Sequence, residues 1–334
     1  MTGLKDVAKY TGLSISTISR VLSNKNYVNK NTREKVMEAV RMLNYSPNIM
    51  AQSLKKGRSN TIALIIPSIQ NLIFADVTRG VEDTARKNGY TVILCNTDEN
   101  MEIEKTYIKT LRTRLIDGFV VSSMLPHSTH IQQLRNENFP MVLTLRAYDK
   151  SIDAVITNNR HAAYNAIKYL IERGHRKIAI TLGDTELTLY SERYKGYLQA
   201  LEEFNIPPDE KLVIRQRTNI GSFYSLVKTM LENKIIPDAV FSTTDSQAIT
   251  VMRAIYDCGY RIPADISVLG FDDVEISALV EPPLSTVSQP FYEIGVLAVQ
   301  KLIYQIDYKE KYGVLDKPLV DIVETNLLIR KSTR

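Results

Sequence analysis

The sequence has few of the residues on which disulfides, metal sites and catalytic centres depend. Its 334 residues include two cysteines and four histidines. Cys95 and Cys258 lie far apart without metal-like spacing, so we interpret both as buried free thiols in a reducing cytosol. The histidines also lack metal spacing, and the sequence has no GxSxG, no P-loop and no GxGxxG in its strand context. We therefore expect no metal, no cofactor and no catalytic residue.

Long hydrophobic runs are absent too. No stretch approaches the roughly 20 apolar residues of a membrane span, and the first residues lack the apolar run of a signal peptide. We expect a cytoplasmic protein that does not contact the membrane. With 44% hydrophobic and 24% charged residues, the chain is able to build large cores, and its length predicts two or three domains.

Positive charge is concentrated at one end of the chain. Residues 1–60 hold eleven Lys and Arg against three acidic residues, a net charge of +8, whereas the whole chain carries +5. The remaining residues are therefore mildly acidic, at −3. This asymmetry indicates a polyanionic partner for the amino-terminal end only.

The stretch Leu4 to Ser23 reads as two short helices joined by a tight turn at Gly12. Its buried face is predicted to hold Val7, Ala8, Ile18, Val21 and Leu22, which have helical spacing. The second helix is then expected to begin after a Ser14 cap and to present outward Ile15, Ser16, Ser19 and Arg20. This pattern is typical of a helix-turn-helix.

A third helix is predicted over 32–43, capped by Asn29 or by Asn31. Pro47 and Gly57 then delimit a helix of two to three turns. So short a helix is not stable alone in water, and it therefore needs a partner, either its own copy or DNA.

From Thr61 onward, strand and helix alternate. The strands are near-continuous apolar runs, which favours parallel sheets covered on both faces. We predict two doubly wound lobes with a ligand cleft at the carboxyl ends of their strands. The expected strands are 61–67, 90–95, 117–123, 140–145, 153–157, 177–183, 212–215, 238–243 and 266–271, and the expected helices are 72–88, 102–113, 160–173, 192–204, 221–233, 246–258 and 291–306.

Several motifs, in order, resemble those of the lactose-repressor/galactose-repressor (LacI/GalR) family. They are DVAKYTGLSISTISRVLSN, LNYSPNIMAQSLK, GHRKIA, SERYKGY, PDAVFSTTD, ISVLGFDD and LSTVSQP. The resemblance covers the whole chain. It implies an α/β fold with an N-terminal three-helix helix-turn-helix headpiece and a hinge helix. A two-lobed body like that of periplasmic binding proteins follows, built on two doubly wound parallel sheets.

The implied domains are a DNA-binding headpiece at 1–46, a hinge helix and linker at 47–60, and an effector-binding and dimerisation body at 61–334. Within the body we expect one lobe at about 61–158 plus 288–317 and the other at about 159–287 plus 318–334.

The resemblance also implies a transcriptional regulator, expected to be a repressor, that binds a pseudo-palindromic double-stranded DNA operator as a homodimer. By the match, the base-reading residues are Ile15, Ser16 and Arg20, although Ile15 could instead belong to the headpiece core. Arg pairs bidentately with guanine, and Ile can contact a thymine methyl group. Leu54 and Lys55 are expected in the minor groove, and the expected backbone contacts are Ser19, Ser23, Tyr45 and Asn48.

In the cleft, the resemblance implies that a small-molecule effector contacts Phe74, Arg193 and Asp272. For Asp245 two roles stay open, a contact with the effector or the capping of the following helix. Leu145, Thr157 and Leu187 replace polar residues of the family pattern. These replacements favour a small metabolite, a sugar or a modified sugar, that makes more apolar contact than is usual in the family, and they argue against a purine base.

Two other functions stay open at this stage. The stretch QPFYEIG at 289–295 is similar to that of carbon-catabolite regulators, whose corepressor is a phosphocarrier protein. A solute-binding protein of transport shares the two-lobed body, but the basic headpiece argues against that function.

Replacing Leu54 by alanine is expected to lower operator affinity tenfold or more, because an apolar wedge offsets the unstacking of the kinked base step. Effector affinity should not change. Both affinities can be measured by fluorescence anisotropy and calorimetry, and an operator affinity equal to that of the unmodified protein would remove the wedge from the interpretation.

Overall fold

The computed structural model describes residues 3–22, 28–45, 57–113, 116–123, 125, 128–147, 151–216 and 220–334. The chain forms two compact units, Met1–Ser59 and Asn60–Arg334. Among the helices described, none has the length and apolar character needed to cross a membrane. Within the same ranges, no group of three or more His, Cys, Asp or Glu side chains is arranged to hold a metal ion.

The amino-terminal unit contains the predicted helix-turn-helix. Gly12 ends the first helix with φ at +68°, and Ser14 Oγ accepts from the backbone N–H of Thr17 at 3.2 Å, at the start of the second. Asn29 Oδ1 accepts from Thr32 N–H at 2.8 Å, so Asn29 rather than Asn31 caps the third helix. The three helices are α1 at Leu4–Thr11, α2 at Ile15–Leu22 and α3 at Lys30–Met42.

The headpiece core is small and comes from all three helices. Its fully or almost fully buried side chains are Val7, Ile18, Val21, Val36 and Ala39. The predicted inward positions of the helix-turn-helix are therefore confirmed, with Ala8 and Leu22 packed at the edge of the same cluster.

The body holds two six-stranded sheets. The first has the order β11-β5-β4-β3-β1-β2 and is parallel throughout. Its strands are β1 at Thr61–Ile66, β2 at Thr91–Asn96, β3 at Gly118–Val121, β4 at Met141–Thr144, β5 at Ala154–Thr157 and β11 at Val320–Val323.

The second sheet has the order β12-β10-β9-β8-β6-β7 and is parallel except for the antiparallel strand β12. Its strands are β6 at Ile178–Leu182, β7 at Val213–Arg215, β8 at Ala239–Ser242, β9 at Ser267–Asp272, β10 at Ser285–Ser288 and β12 at Asn326–Leu328.

Helices alternate with these strands and cover the sheets, as predicted. In the first lobe they are α4 at Ile73–Lys87, α5 at Met101–Thr113, α6 at Thr129–Asn136 and α11 at Phe291–Tyr312. In the second lobe they are α7 at Asn159–Glu172, α8 at Thr188–Glu203, α9 at Ile220–Glu232 and α10 at Asp245–Asp257.

The chain crosses between the lobes three times, after Thr157, after Ser288 and after Val323. The first two crossings agree with the expected boundaries, but the third corrects the boundary at 317/318. Strand β11 pairs with β5 of the first sheet, with Asp321 opposite Val155, so the first lobe extends through Val323. Lys301 Nζ, 2.9 Å from Asp321 Oδ2, ties this strand to helix α11.

Helix α6 and strands β10, β11 and β12 are absent from the expected helices and strands. Strand β10 was missed because its sequence, Ser-Thr-Val-Ser, lacks the apolar run of the other strands. The strand is nevertheless buried. Its polar side chains are satisfied there, because Ser285 hydrogen bonds to Thr333 and Thr286 donates to Asp245.

Two glycines bring helices α4 and α11 into close contact. A Cβ on Gly80 would lie 2.1 Å from Tyr292 O, and a Cβ on Gly295 would lie 2.4 Å from Val77 O. The two backbones therefore touch at this crossing, and the helices bury the apolar face of the first sheet beneath them.

Replacing Gly295 by alanine is expected to destabilise the body by about 1–3 kcal/mol, because the added methyl group would collide with backbone. This loss exceeds the gain of about 1 kcal/mol in helix propensity. Urea unfolding followed by circular dichroism measures the difference. The control is Gln300→Ala, at an exposed position of the same helix, and an equal or higher midpoint for Gly295→Ala would contradict the close contact.

Candidate functional site

The outer face of helix α2 presents the residues predicted to read bases. Ile15 is 44% exposed, and Ser16 and Arg20 are exposed as well, because Ile18 and Val21 occupy the buried face of the helix. Ile15 therefore does not belong to the headpiece core, which settles the alternative left open by the sequence. The Ser16 hydroxyl lies 2.8 Å from that of the capping residue Ser14.

The remaining predicted DNA contacts are only partly described. Ser19 and Tyr45 are half-buried, and the Tyr45 side chain packs against the headpiece core. Ser23, Asn48, Leu54 and Lys55, together with the predicted hinge helix, lie outside the described residues.

A cleft lies between the two lobes of the body, at the carboxyl ends of their strands. Three of the four residues predicted to bind the effector line it, Phe74, Arg193 and Asp272. The other lining residues are Asn71, Ile73, Leu145, Arg146, Asn159, Leu189, Tyr190, Thr244, Gln289 and Phe291.

Arg193 is a buried charge at the centre of this cleft, with a side chain only 4% exposed. Its Nε donates to Asn159 Oδ1 at 2.8 Å, and its Nη1 donates to the carbonyl oxygen of Thr243. Nη1 also lies 3.6 Å from Asp272 Oδ1, and the guanidinium carbon lies 3.6 Å from the centre of the Phe271 ring. Burial lowers the pKa of Arg193, and the electrostatic effect of Asp272 offsets this lowering in part. Arg193 is therefore not a solvated surface charge.

Asp272 ends strand β9 in a strained conformation, with φ at +126°. Gln289 Nε2 donates to its Oδ1 at 2.8 Å, and Gln289 Oε1 accepts from Thr157 Oγ1 at 2.7 Å. Burial raises the pKa of Asp272 to about 7, against the lowering effect of Arg193. The carboxyl group is therefore poised to change its protonation near neutral pH.

Asp245 lies behind the cleft and is not among the side chains that line it. Its carboxylate accepts from the hydroxyls of Ser277 and Thr286, both at 2.6 Å. It does not cap helix α10 either, because the capping side chain is that of Thr244. Asp245 therefore has neither of the two roles considered for it. It instead anchors the loop that follows strand β9 onto strand β10.

The first lobe supplies an apolar wall and one ion pair. Phe74 is 3% exposed and belongs to the core of the first lobe while also lining the cleft. Arg146 donates from both Nη atoms to Glu99, at 2.9 and 2.7 Å. The residue before it, Leu145, has φ at +64° and lines the cleft, as the loss of a polar residue there suggested.

Sequence reasoning missed several polar or aromatic side chains of the cleft, among them those of Asn159, Tyr190 and Gln289. Asn159 and Gln289 directly follow two of the crossings between the lobes. This position in the sequence could have identified them as cleft residues, because a residue beside a crossing lies at the carboxyl ends of both sheets.

Comparisons with known proteins agree with this architecture. Residues 59–317 match the family model described as periplasmic binding proteins and sugar binding domain of LacI family. Residues 3–48 match the model of bacterial regulatory proteins, lacI family.

Individual relatives match along most of the chain. The ribose operon repressor of Halalkalibacterium halodurans is 36% identical, covering 100% of this chain and 98% of its own length. The transcriptional repressor PurR of Vibrio atlanticus is 36% identical over 93% of each chain. The crystal structure of the lac repressor dimer bound to operator and the anti-inducer ONPF superposes with a TM-score of 0.88, at 28% identity and 99% coverage of both chains.

Replacing Asp272 by asparagine is expected to change how stability depends on pH. The folded-state pKa is raised from 3.8 to about 7, so the folded protein binds more protons than the unfolded chain between these values. The contribution of this group to the free energy of unfolding therefore falls as the pH rises through that window and levels off above it. The asparagine variant, which cannot ionise, should gain stability relative to the unmodified protein over the same window.

Thermal unfolding midpoints measured across that pH window test the expectation. The control is Glu275→Gln, which removes an exposed carboxylate three residues away and measures how the loss of an unburied charge changes the unfolding midpoint. A constant difference between Asp272→Asn and the unmodified protein at all pH values would contradict it.

Proposed function

The chain belongs to the lacI family of bacterial regulatory proteins, and from this we propose that it represses transcription by binding a pseudo-palindromic operator as a homodimer. A small metabolite in the cleft between the lobes adjusts its operator affinity. The observation that carries the proposal is the outer face of helix α2, a single exposed surface that combines Ile15, Ser16 and Arg20.

These three side chains supply different kinds of base contact. The Arg20 guanidinium suits guanine, the apolar Ile15 suits a thymine methyl group, and the Ser16 hydroxyl donates or accepts. Ser19, Ser23, Tyr45 and Asn48 are assigned to the DNA backbone, and Leu54 and Lys55 to the minor groove, by their positions in the family motifs. The charge of +8 on residues 1–60 supports the phosphate contacts.

Exposed apolar side chains on the body support the homodimer. In the first lobe, Leu72 is exposed beside the cleft, and Ile93 and Leu94 are exposed on strand β2, one of the two edge strands of the sheet. In the second lobe, Ile276 and Leu279 are exposed after strand β9. Such patches commonly mark interfaces between subunits, since monomers cover their sheet edges.

For the effector we propose a small neutral sugar. Arg193 donates and Asp272 accepts, so the pair can bind a hydroxyl group from both sides. The aromatic rings of Phe74, Tyr190 and Phe291 supply apolar walls that suit the carbon face of a sugar. Ribose is the first candidate, since the relative from H. halodurans is named a ribose operon repressor.

The effector can shift operator binding only if it favours one arrangement of the lobes. Gln289 supports such coupling, because its amide hydrogen bonds both to Asp272 of the second lobe and to Thr157, the last residue of strand β5 in the first lobe. A ligand that hydrogen bonds to Asp272 would redistribute these bonds at two of the three crossings.

A phosphocarrier corepressor has less support. A phosphorylated partner needs free cations, yet the exposed side chains on the first turns of α11 are those of Tyr292, Glu293 and Gln300. Lys301, on the same helix, is 10% exposed and paired with Asp321. For the location we propose the cytoplasm, where the operator DNA is.

Replacing Arg20 by alanine is expected to weaken operator binding by about 1–3 kcal/mol and to relax the sequence preference at one base pair. The operator is first selected from a random duplex library and then titrated by gel shift. Arg41→Ala, an exposed arginine on α3, is the matched control, and it should weaken all sequences alike. Failure to select any preferred sequence would overturn the proposed function.

The same titration with ribose, glucose or hypoxanthine added tests the effector. Ribose should shift the operator affinity, and Arg193→Lys should abolish that shift while operator binding without sugar is retained. A shift with hypoxanthine alone would contradict the sugar assignment.

A further inference from the structure

A second groove, remote from the cleft, lies at the amino ends of strands β6, β7 and β8. These three strands are neighbours in the second sheet, in the order β8-β6-β7, so the loops that precede them lie side by side. The groove has a volume of about 570 Å³. Its lining residues are Arg176, Lys177, Asn205, Ile206, Pro207, Asp209, Lys211, Leu212, Lys234, Ile235 and Ile236.

Each loop contributes exposed positive charge to this groove. Arg176 and Lys177 come from the loop before β6, Lys211 from the loop before β7 and Lys234 from the loop before β8. The body as a whole carries −3, so a groove surrounded by four cations differs in charge from the rest of the body.

The acidic residues of the same loops are already engaged. Asp238 accepts from the backbone N–H groups of Arg176 and Lys177 at 2.8 and 3.0 Å. Glu210 pairs with Arg215 at 2.7 Å. Within the described ranges, no carboxylate pairs with the ammonium groups of Lys177, Lys211 or Lys234.

The floor between these cations is apolar. It consists of Ile206, Leu212 and Ile235, with Ile236 40% exposed at its side. A rim of cations around an apolar floor complements a segment that alternates acidic and apolar side chains.

The backbone of the loops argues against a free phosphate as the occupant. A phosphate cradle uses clustered backbone N–H groups. Here those of Arg176 and Lys177 donate to Asp238, and that of Lys211 donates to Asp209 at 2.9 Å. The groove therefore binds a ligand through its lysine side chains and its apolar floor.

We propose that this groove docks a short acidic segment of a partner protein, with its carboxylates on Lys177, Lys211 and Lys234 and an apolar side chain on Ile236. The site is separate from the effector cleft, since the two lie at opposite ends of the strands of the second sheet. It would allow a second protein to bind the regulator without competing for the effector.

The test uses the full chain with excess non-specific duplex DNA, which occupies the basic headpiece. The probe is a fluorescein-labelled twelve-residue peptide of alternating Glu and Leu, compared with one of alternating Glu and Ser. Fluorescence anisotropy should give at least fivefold tighter binding for the Glu-Leu peptide. Lys177→Glu combined with Lys234→Glu should weaken that binding tenfold or more, and Ile236→Ser should weaken it without changing the charge.

The matched control is Lys331→Glu, an exposed lysine elsewhere in the second lobe, which should stay within twofold. Retained operator binding shows that each variant is folded. Equal affinity for both peptides, equal loss with Lys331→Glu, or displacement of the peptide by millimolar inorganic phosphate would overturn the proposal. A changed sedimentation coefficient in the Lys177→Glu, Lys234→Glu variant would assign the groove to self-association instead.

Discussion

The body is organised around a buried guanidinium group. Removing a cation from water costs several kcal/mol unless charge and hydrogen bonds replace the lost solvent. Arg193 receives that replacement from Asn159, Thr243 and Asp272 and from the ring of Phe271. These partners come from different elements of the second lobe, so the position of the charge depends on the whole carboxyl edge of its sheet.

The partner carboxyl group couples this charge to the other lobe. Asp272 has its pKa raised to about 7 and accepts from Gln289, which in turn accepts from Thr157. A hydroxyl group that bonds to Asp272 therefore acts on a group that is nearly balanced between two protonation states. Because Gln289 and Thr157 flank crossings between the lobes, the effect can reach the lobe arrangement directly.

Positive charge is concentrated in residues 1–60, which separates the interaction with DNA from those of the body. Residues 1–60, which include the headpiece, carry +8. Among the described residues of the headpiece, five buried apolar side chains form the core, and the recognition helix leaves one face free for DNA. The body is mildly acidic, which reduces non-specific contact between it and the duplex. The lysine groove at the far end of the second lobe is an exception to that average, which is why it suggests a protein partner.

The sequence by itself determined the helix-turn-helix, its Ser14 cap and the outward face with Arg20, because local spacing fixes which side of a short helix is buried. It also determined most of the strands, since apolar runs such as 61–66 are buried on both faces of a parallel sheet. Only the tertiary structure decided that Asp245 anchors a loop, that β11 belongs to the first lobe and that Gln289 joins the two lobes. These contacts link residues 41, 166 and 132 positions apart. Spacing within one segment carries no information about such contacts, because they depend on which strand ends the folded sheets bring together.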